Sequence, residues 1–396
     1  MLALNFFRPA MSATKKPSTL HELHAAGQSV WLDYIDRTML GNGELTRRIR
    51  EDALTGMTSN PTIFEKALAA GTAYDAQLSA IAAGGEHTAW EVFERLETDD
   101  VRTACDAFLS PYHESRGTHG FVSIEVSPGA AHDSTATVEE AHRLWRTVDR
   151  PNVMIKVPGT TQGAVALRRL IADGLNVNVT LLFAVQAHDR IIEAYLCGLE
   201  DRVKAGGDLS HIASVASFFV SRVDNAVDGA LDAGVANGSI PVDRAHPLKG
   251  RAAIANARRA YRHFRERFAG PRWDALAAKG ARVQRPLWAS TSTKNPAYRD
   301  VLYVEQLIGP DTVNTMPPAT LEAFRDHGVT ARTVDVGLDA ADRLIDDLHT
   351  VGIHLDAVTD QLLVEGLASF QKSFDTLIAG LEHKVAALGR SVVAAR

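Results

Sequence analysis

From Leu20 onward, short apolar and β-branched runs alternate with longer stretches of helical periodicity. Residues 30–35 (VWLDYI) read as a first strand, 56–60 as a second stopped by Pro61, and 120–126 as a third. Five more runs follow at 153–159, closed by its Pro-Gly stop, 175–183, 213–219, 286–290 and 312–316. Helices are predicted between them at about 44–53, 138–148, 162–172, 185–205, 223–233 and 251–268. Residues 62–116 read as helical throughout, which is too long for one crossover and predicts an insertion of several helices after the second strand. The tail is helical from Ala319, its longest piece at about 355–388. Eight strands alternating with helices predict an α/β chain with a parallel sheet, and eight is the number that closes a (β/α)8 TIM barrel. No glycine-rich dinucleotide fingerprint follows the first strand, and no repeat or low-complexity linker divides the chain. One barrel domain over 18–396 is therefore expected, with residues 1–17 as a disordered extension.

The phase of the strands is more informative than their number. Strand side chains alternate faces, so Val177, Val179 and Leu181 fall on one side of the fifth strand and Asn176, Asn178 and Thr180 on the other. In the third, Val122, Ile124 and Val126 suit an outer helix layer, and Ser123 and Glu125 take the opposite face. Asp33 opposes Leu32 and Tyr34, Ser217 and Phe219 oppose Ala216 and Phe218, and the second strand ends in Asn60. A barrel interior is normally filled with branched apolar side chains. Here neighbouring strands aim Asp, Asn, Glu, Lys and Ser inward.

The lysine is Lys156, in the apolar run Val153 to Gly159, where it shares a face with Met154. Desolvation works against its ammonium form and favours a neutral amine able to attack a carbonyl, which makes it a Schiff-base candidate. A lysine snorkelling from a strand end would look the same in this stretch alone. Ser, Thr and Asn can likewise serve strand ends and backbone. The carboxylates discriminate better: Asp33 or Glu125 buried without a partner would cost several kcal/mol, and Lys156 is the expected partner for both. An amine, two carboxylates and several hydroxyls and amides suit imine chemistry, which needs a nucleophile, proton shuttles and a base.

An anion site is expected next to them. Ser221 and Arg222 follow the sixth strand, and Ser290-Thr291-Ser292-Thr293-Lys294 follows the seventh. Hydroxyls with cations at the C-terminal ends of late barrel strands make a phosphate cradle, and a solvated Ser/Thr loop has the same composition.

Composition narrows the field. The net charge of −6 offers no basic surface for nucleic acid but leaves room for a small anion in a local pocket. No apolar run reaches membrane-span length, and the start lacks the charged and apolar regions of a signal peptide. Met11 opens a polar segment suited to an ordinary cytosolic start. Cys105 and Cys197 form neither a disulfide framework nor a metal-ligand pattern, so a cytoplasmic setting is expected. The sequence leaves a homo-oligomer open.

In this order the segments LTGMTSNPTIF (54–64), VMIKVPGTTQG (153–163), GLNVNVTLLF (174–183), SVASFFVSRVD (214–224) and LWASTSTKNP (287–296) resemble the transaldolase family, in its longer bacterial branch. The match runs from about Ser29 to Phe324. The resemblance implies a (β/α)8 barrel of class I aldolase chemistry with no metal and no organic cofactor. It implies transfer of a dihydroxyacetone unit from fructose 6-phosphate or sedoheptulose 7-phosphate to erythrose 4-phosphate or glyceraldehyde 3-phosphate, in the pentose phosphate pathway. By that likeness Lys156 is the Schiff-base lysine and Asp33 the acid/base at the C4 hydroxyl. Glu125 and Thr180 handle carbinolamine protons through a water, Asn60 and Asn178 hold the dihydroxyacetone hydroxyls, Ser217 and Phe219 wall the pocket, and Arg222 grips phosphate. Where many members have a second phosphate-binding arginine, this chain has Lys294, which keeps the charge without the bidentate fork. Two other readings stand beside transfer: a simple aldolase of the same superfamily, and a sugar-phosphate-binding barrel without catalysis.

Overall fold

The computed structural model describes residues 18–69, 71–85 and 87–387, so the expectations for 1–17, including the start at Met11, lie outside the described residues. Eight parallel strands close into a barrel in chain order. They are β1 (Gln28–Asp33), β2 (Leu54–Thr58), β3 (Phe121–Glu125), β4 (Val153–Pro158), β5 (Val177–Leu182), β6 (Ser214–Phe219), β7 (Arg285–Ala289) and β8 (Thr312–Met316). Outward-facing Val122, Ile124, Val153, Ile155, Val177 and Val179 are buried under the surrounding helices. That burial is the driving force for the layered fold.

β1 begins two residues earlier than its apolar pattern suggests. Gln28 and Ser29 pair with Thr312 and Val313 of β8, and Gln28 Nε2 donates to Leu307 O at 2.7 Å and Thr312 Oγ1 at 3.0 Å. Barrel closure gives the Gln28 side-chain N–H groups their acceptors, a tertiary effect invisible in periodicity. β1 also ends at Asp33, which frees Tyr34 from the alternation and lets it reach the barrel mouth.

The alternation fails again in β5. Its pairing with β6 slips between Val179 and Leu182, and Leu181 takes a left-handed φ of 60°. Such a bulge bends a strand and re-aims a side chain. Leu181 accordingly meets the tail helix at Gly366 instead of continuing the outward row.

Within the barrel, Trp31 is fully buried and paired in register with Gly56. A Cβ at position 56 would fall 2.4 Å from the indole, so glycine is the one residue that lets the ring fill the interior. The stretch predicted as continuously helical is four helices, Pro61–Ala69, Asp75–Ala83, Ala89–Ala107 and Leu109–Glu114. The third of these starts with a capping box in which Thr88 and Glu91 satisfy each other's backbone N–H groups. The last described element of the tail is the helix Leu355–Ala387, which packs on Pro61–Ala69 and on Ser221–Ala236. Among the described residues, no helix is long and apolar enough to cross a membrane.

Replacing Gly56 by alanine should force the Trp31 ring or the β2 backbone to move, at a cost of roughly 1–3 kcal/mol. Urea denaturation of Gly56→Ala followed by tryptophan fluorescence measures this, and an unchanged midpoint would show that the interior has slack.

Candidate active site

Register builds the centre of the site. Glu125 and Lys156 are Cα partners on β3 and β4, so their side chains leave adjacent strands side by side. Lys156 Nζ donates to Glu125 Oε2 at 2.9 Å and to the Ser59 carbonyl at 3.0 Å, and both side chains are buried. The amine is thus charge-compensated as well as desolvated.

Asp33 has a different direct partner from the one its charge suggests. Its Oδ1 accepts from Thr58 Oγ1 at 2.7 Å, following the β1–β2 register, and Thr58 is in turn 2.8 Å from the Thr315 hydroxyl. Lys156 reaches Asp33 only through its field. Burial pushes the Asp33 carboxyl above the ordinary range, while Lys156, the Thr58 hydrogen bond, Lys294 and Arg222 pull it back. Burial raises Glu125 as well, opposed by the charge and hydrogen bond of Lys156.

A cavity of about 620 Å³ opens over these groups at the C-terminal ends of the strands. That is ample for a sugar phosphate. Asp33, Asn60, Lys156, Thr180, Ser217, Phe219, Arg222 and Lys294 all line it. Glu125 and Asn178 lie behind this lining. The Asn178 amide is engaged at both ends: Nδ2 donates to Ser123 Oγ at 3.0 Å, and Oδ1 accepts from Ser217 Oγ at 2.7 Å. Asn60 Oδ1 accepts from the Ile63 N–H at 3.0 Å, capping the start of the helix Pro61–Ala69, while the residue still faces the cavity. The Thr180 hydroxyl is buried in the lining with no partner, a group prepared to bond something that enters.

The rim is cationic. Arg222 lies 5.2 Å from the Phe219 ring centroid, and Lys294 Nζ donates to Ser292 Oγ at 2.8 Å. Neither cation, nor Lys66 from the helix after β2, meets a carboxylate among the described residues. Asp33 is the acidic residue of the lining. Partial burial lowers the Arg222 guanidinium from its ordinary value, with Asp33 and Glu365 opposing. Unneutralised cations around a pocket set up a field for an anion. Among the described residues no group of three or more His, Cys, Asp or Glu is disposed to hold a metal ion.

The chain matches the family model described as Transaldolase/Fructose-6-phosphate aldolase over residues 30–381. The chain belongs to the transaldolase/fructose-6-phosphate aldolase family. It is 48% identical over 371 residues to Transaldolase 2 of a Nostoc species, covering 92% of this chain and 97% of that one. It is 48% identical over 360 residues to Transaldolase of Mycolicibacterium smegmatis, covering 91% and 95%. With Transaldolase of Frankia alni the identity is 46% over 373 residues, covering 94% and 98%.

For this transaldolase-family barrel the strand pattern located the inward polar set but missed groups delivered by helices. Lys66 and Phe370 line the cavity from helices after β2 and in the tail. Glu97, from the helix Ala89–Ala107, is buried behind the lining; burial holds it well above the carboxylate range, with Glu125 and Glu140 adding to the effect. Its position four residues after Phe93, on the helix's buried stripe, was the available signal.

Lys156→Met alone should cost about 3–5 kcal/mol by stranding Glu125, and the Lys156→Met/Glu125→Gln double variant should recover most of it. Denaturation of the single and double variants measures the coupling; additive losses would mean the pair is not a unit. Glu97 generates a prediction of opposite pH sign to an ordinary ion pair. A carboxyl raised on folding stabilises below its unfolded value, near 4.5, and that contribution is lost as pH rises. Glu97→Gln should therefore gain on the native protein above that value, by up to about 1.4 kcal/mol per pH unit. Stability curves of the two proteins at pH 5 and pH 8 should diverge; parallel curves would place Glu97 in a wetter site.

Proposed function

We propose that the chain is a transaldolase that transfers a dihydroxyacetone unit between sugar phosphates through an imine on Lys156. The observation that supports this most is the buried Lys156–Glu125 pair at the floor of a cavity whose rim carries unpaired cations. Nucleophile and proton acceptor are in contact, and an anion can be held at a distance from them. The close relatives named transaldolase support the same reading.

In the proposed reaction Glu125 accepts the ammonium proton, and the free amine attacks the C2 carbonyl of fructose 6-phosphate or sedoheptulose 7-phosphate. Glu125 and Thr180 return a proton to the carbinolamine oxygen, which leaves as water and yields the iminium. Asp33, above its ordinary carboxylate range yet held by Thr58, takes the C4 hydroxyl proton as the C3–C4 bond breaks. The aldose phosphate departs and the enamine stays on Lys156. An acceptor aldehyde, erythrose 4-phosphate or glyceraldehyde 3-phosphate, then reverses the steps. Arg222 and Lys294 hold the phosphate of the donor and, after the first aldose has left, that of the acceptor; Asn60 offers its amide to the substrate hydroxyls, and Asn178 keeps Ser217 in place. No cofactor is invoked. The two free cysteines suit a cytoplasmic setting.

Incubation with fructose 6-phosphate and borohydride, with and without erythrose 4-phosphate, followed by peptide mapping, tests the reading. A reduced adduct on Lys156 that diminishes with acceptor is expected. An adduct insensitive to acceptor would favour the simple aldolase, and no adduct on any lysine would end the imine account. Lys156→Ala should abolish trapping, whereas Asp33→Asn should trap substrate yet stall carbon–carbon cleavage. Arg222→Ala should raise KM for phosphorylated substrates roughly 10- to 100-fold with a smaller change in kcat, the expected loss for a charge-assisted contact.

A further inference from the structure

The helix Leu355–Ala387 does not join the ring around the barrel. It packs on the helix Pro61–Ala69, which follows β2, and on Ser221–Ala236, which follows β6. In a closed barrel of eight strands in chain order, β2 and β6 stand opposite each other, and the tail helix runs from one to the other over the β3–β5 side of the mouth, touching β5 on the way. Its 33 residues span about 50 Å, more than enough for the crossing.

The crossing is anchored on both sides. On one, Gly366 passes so close to β5 that a Cβ there would lie 3.0 Å from Leu181 and 3.7 Å from an Arg222 nitrogen. On the other, Thr62 Oγ1 donates to Ser373 Oγ at 2.8 Å, Phe374 packs 5.1 Å from the Trp90 ring, and Lys384 pairs with Asp75 at 3.0 Å. Between these anchors sits Phe370. It is 6% exposed, it lines the cavity, and its ring centroid lies 5.7 Å from Lys156 Nζ. Glu125 and the Ser59 carbonyl contact the nitrogen by hydrogen bonds, whereas Phe370 presents it with a face that can neither donate nor accept a proton.

That asymmetry matters for an enamine. In transfer, the enamine carbon bonds to the acceptor aldehyde carbon, a proton goes to the aldehyde oxygen, and the resulting iminium is hydrolysed to ketose and amine. In leakage, a proton from water adds to the same enamine carbon. Water then adds to the iminium carbon, a proton is lost, and the C–N bond breaks to give free dihydroxyacetone and the lysine amine. The two outcomes part at the first protonation, so whatever keeps water from that carbon sets their ratio.

We infer that Phe370 is a specificity-determining residue for group transfer: its ring roofs the Lys156 adduct and holds water off the enamine until an acceptor arrives. The inference rests on the imine reading of Lys156 given above and extends it to the choice between transfer and release.

The test compares the native protein with Phe370→Ala, Phe370→Leu and Phe374→Ala. Each is given fructose 6-phosphate with erythrose 4-phosphate, and free dihydroxyacetone is measured against sedoheptulose 7-phosphate formed. Borohydride trapping is run in parallel. Phe370→Ala should still trap substrate and should raise the release-to-transfer ratio by about 10-fold or more. Phe370→Leu should raise it less, and Phe374→Ala, which loosens the same helix away from the cavity, should leave it near the native value. An unchanged ratio in a trapping-competent Phe370→Ala overturns the inference, as does an equal rise in Phe374→Ala, which would assign the effect to helix docking. If the alanine variant does not fold, the leucine variant decides: a ratio at the native value is the overturning result. Absence of an adduct in the native protein would instead sink the imine reading itself.

Discussion

The ion pair between Lys156 and Glu125 is the constraint around which the barrel is built. Two charges withdrawn from water cost several kcal/mol each, and their attraction offsets this only if the geometry is good and other hydrogen bonds are in place. Adjacent parallel strands supply the geometry through the Glu125↔Lys156 register, and the Ser59 carbonyl supplies the second acceptor for the ammonium. The neighbouring polar side chains follow from the same requirement. Asn178 spans Ser123 and Ser217, and Thr58 spans Asp33 and Thr315, so the inward face carries two hydrogen-bonded runs instead of the branched apolar packing usual in such barrels. Below that level Trp31 over Gly56 restores an apolar filling.

Charge compensation then changes along the barrel axis. At the floor the lysine is paired. At the rim Arg222, Lys294 and Lys66 have no carboxylate among the described residues, although arginines elsewhere do: Arg262 meets Asp342 at 2.8 Å, and Arg272 meets Glu193 at 2.8 Å and Glu200 at 2.7 Å. A molecule with a net charge of −6 has acids to spare, and it is on these unpaired cations clustered at one opening that the proposed phosphate site rests.

The barrel and most of this site were legible because strand periodicity has a fixed phase. Once Lys156 is placed inward, Asp33, Glu125, Asn178, Thr180 and Ser217 follow from counting by two. Counting failed where the backbone leaves the ideal strand: Tyr34 beyond the end of β1, and Leu181 at the bulge of β5. It also gave the right charge but the wrong contact for Asp33, because the Thr58 hydroxyl on the neighbouring strand is nearer than the amine. Lys66, Glu97 and Phe370 were out of reach for a different reason. Each lies on a helix whose orientation over the mouth is set by packing between segments far apart in the chain, as in the Thr62–Ser373 contact. Amphipathic spacing says which stripe of a helix is buried, and says nothing of what lies opposite it.

The two rim cations after β6 and β7 also need a fixed separation, and neither has an acid of its own to hold it. The support comes from behind. Asp224 and Asp228, one turn apart on the helix that carries Arg222, each join a backbone amide of the segment between β6 and β7 to a tyrosine of the chain that follows β7 and carries Lys294. Asp224 accepts from the Ala253 N–H at 2.7 Å and the Tyr303 hydroxyl at 2.9 Å; Asp228 accepts from the Gly250 N–H at 3.0 Å and the Tyr298 hydroxyl at 2.6 Å. Burial raises Asp224 to about 6, so its place is secured by donated hydrogen bonds and not by a cation. Neutral donors are what this position requires. A basic partner for either carboxylate would add a further charge beside the proposed anion site, whereas tyrosine hydroxyls and backbone amides fix the geometry without altering the field of Arg222 and Lys294.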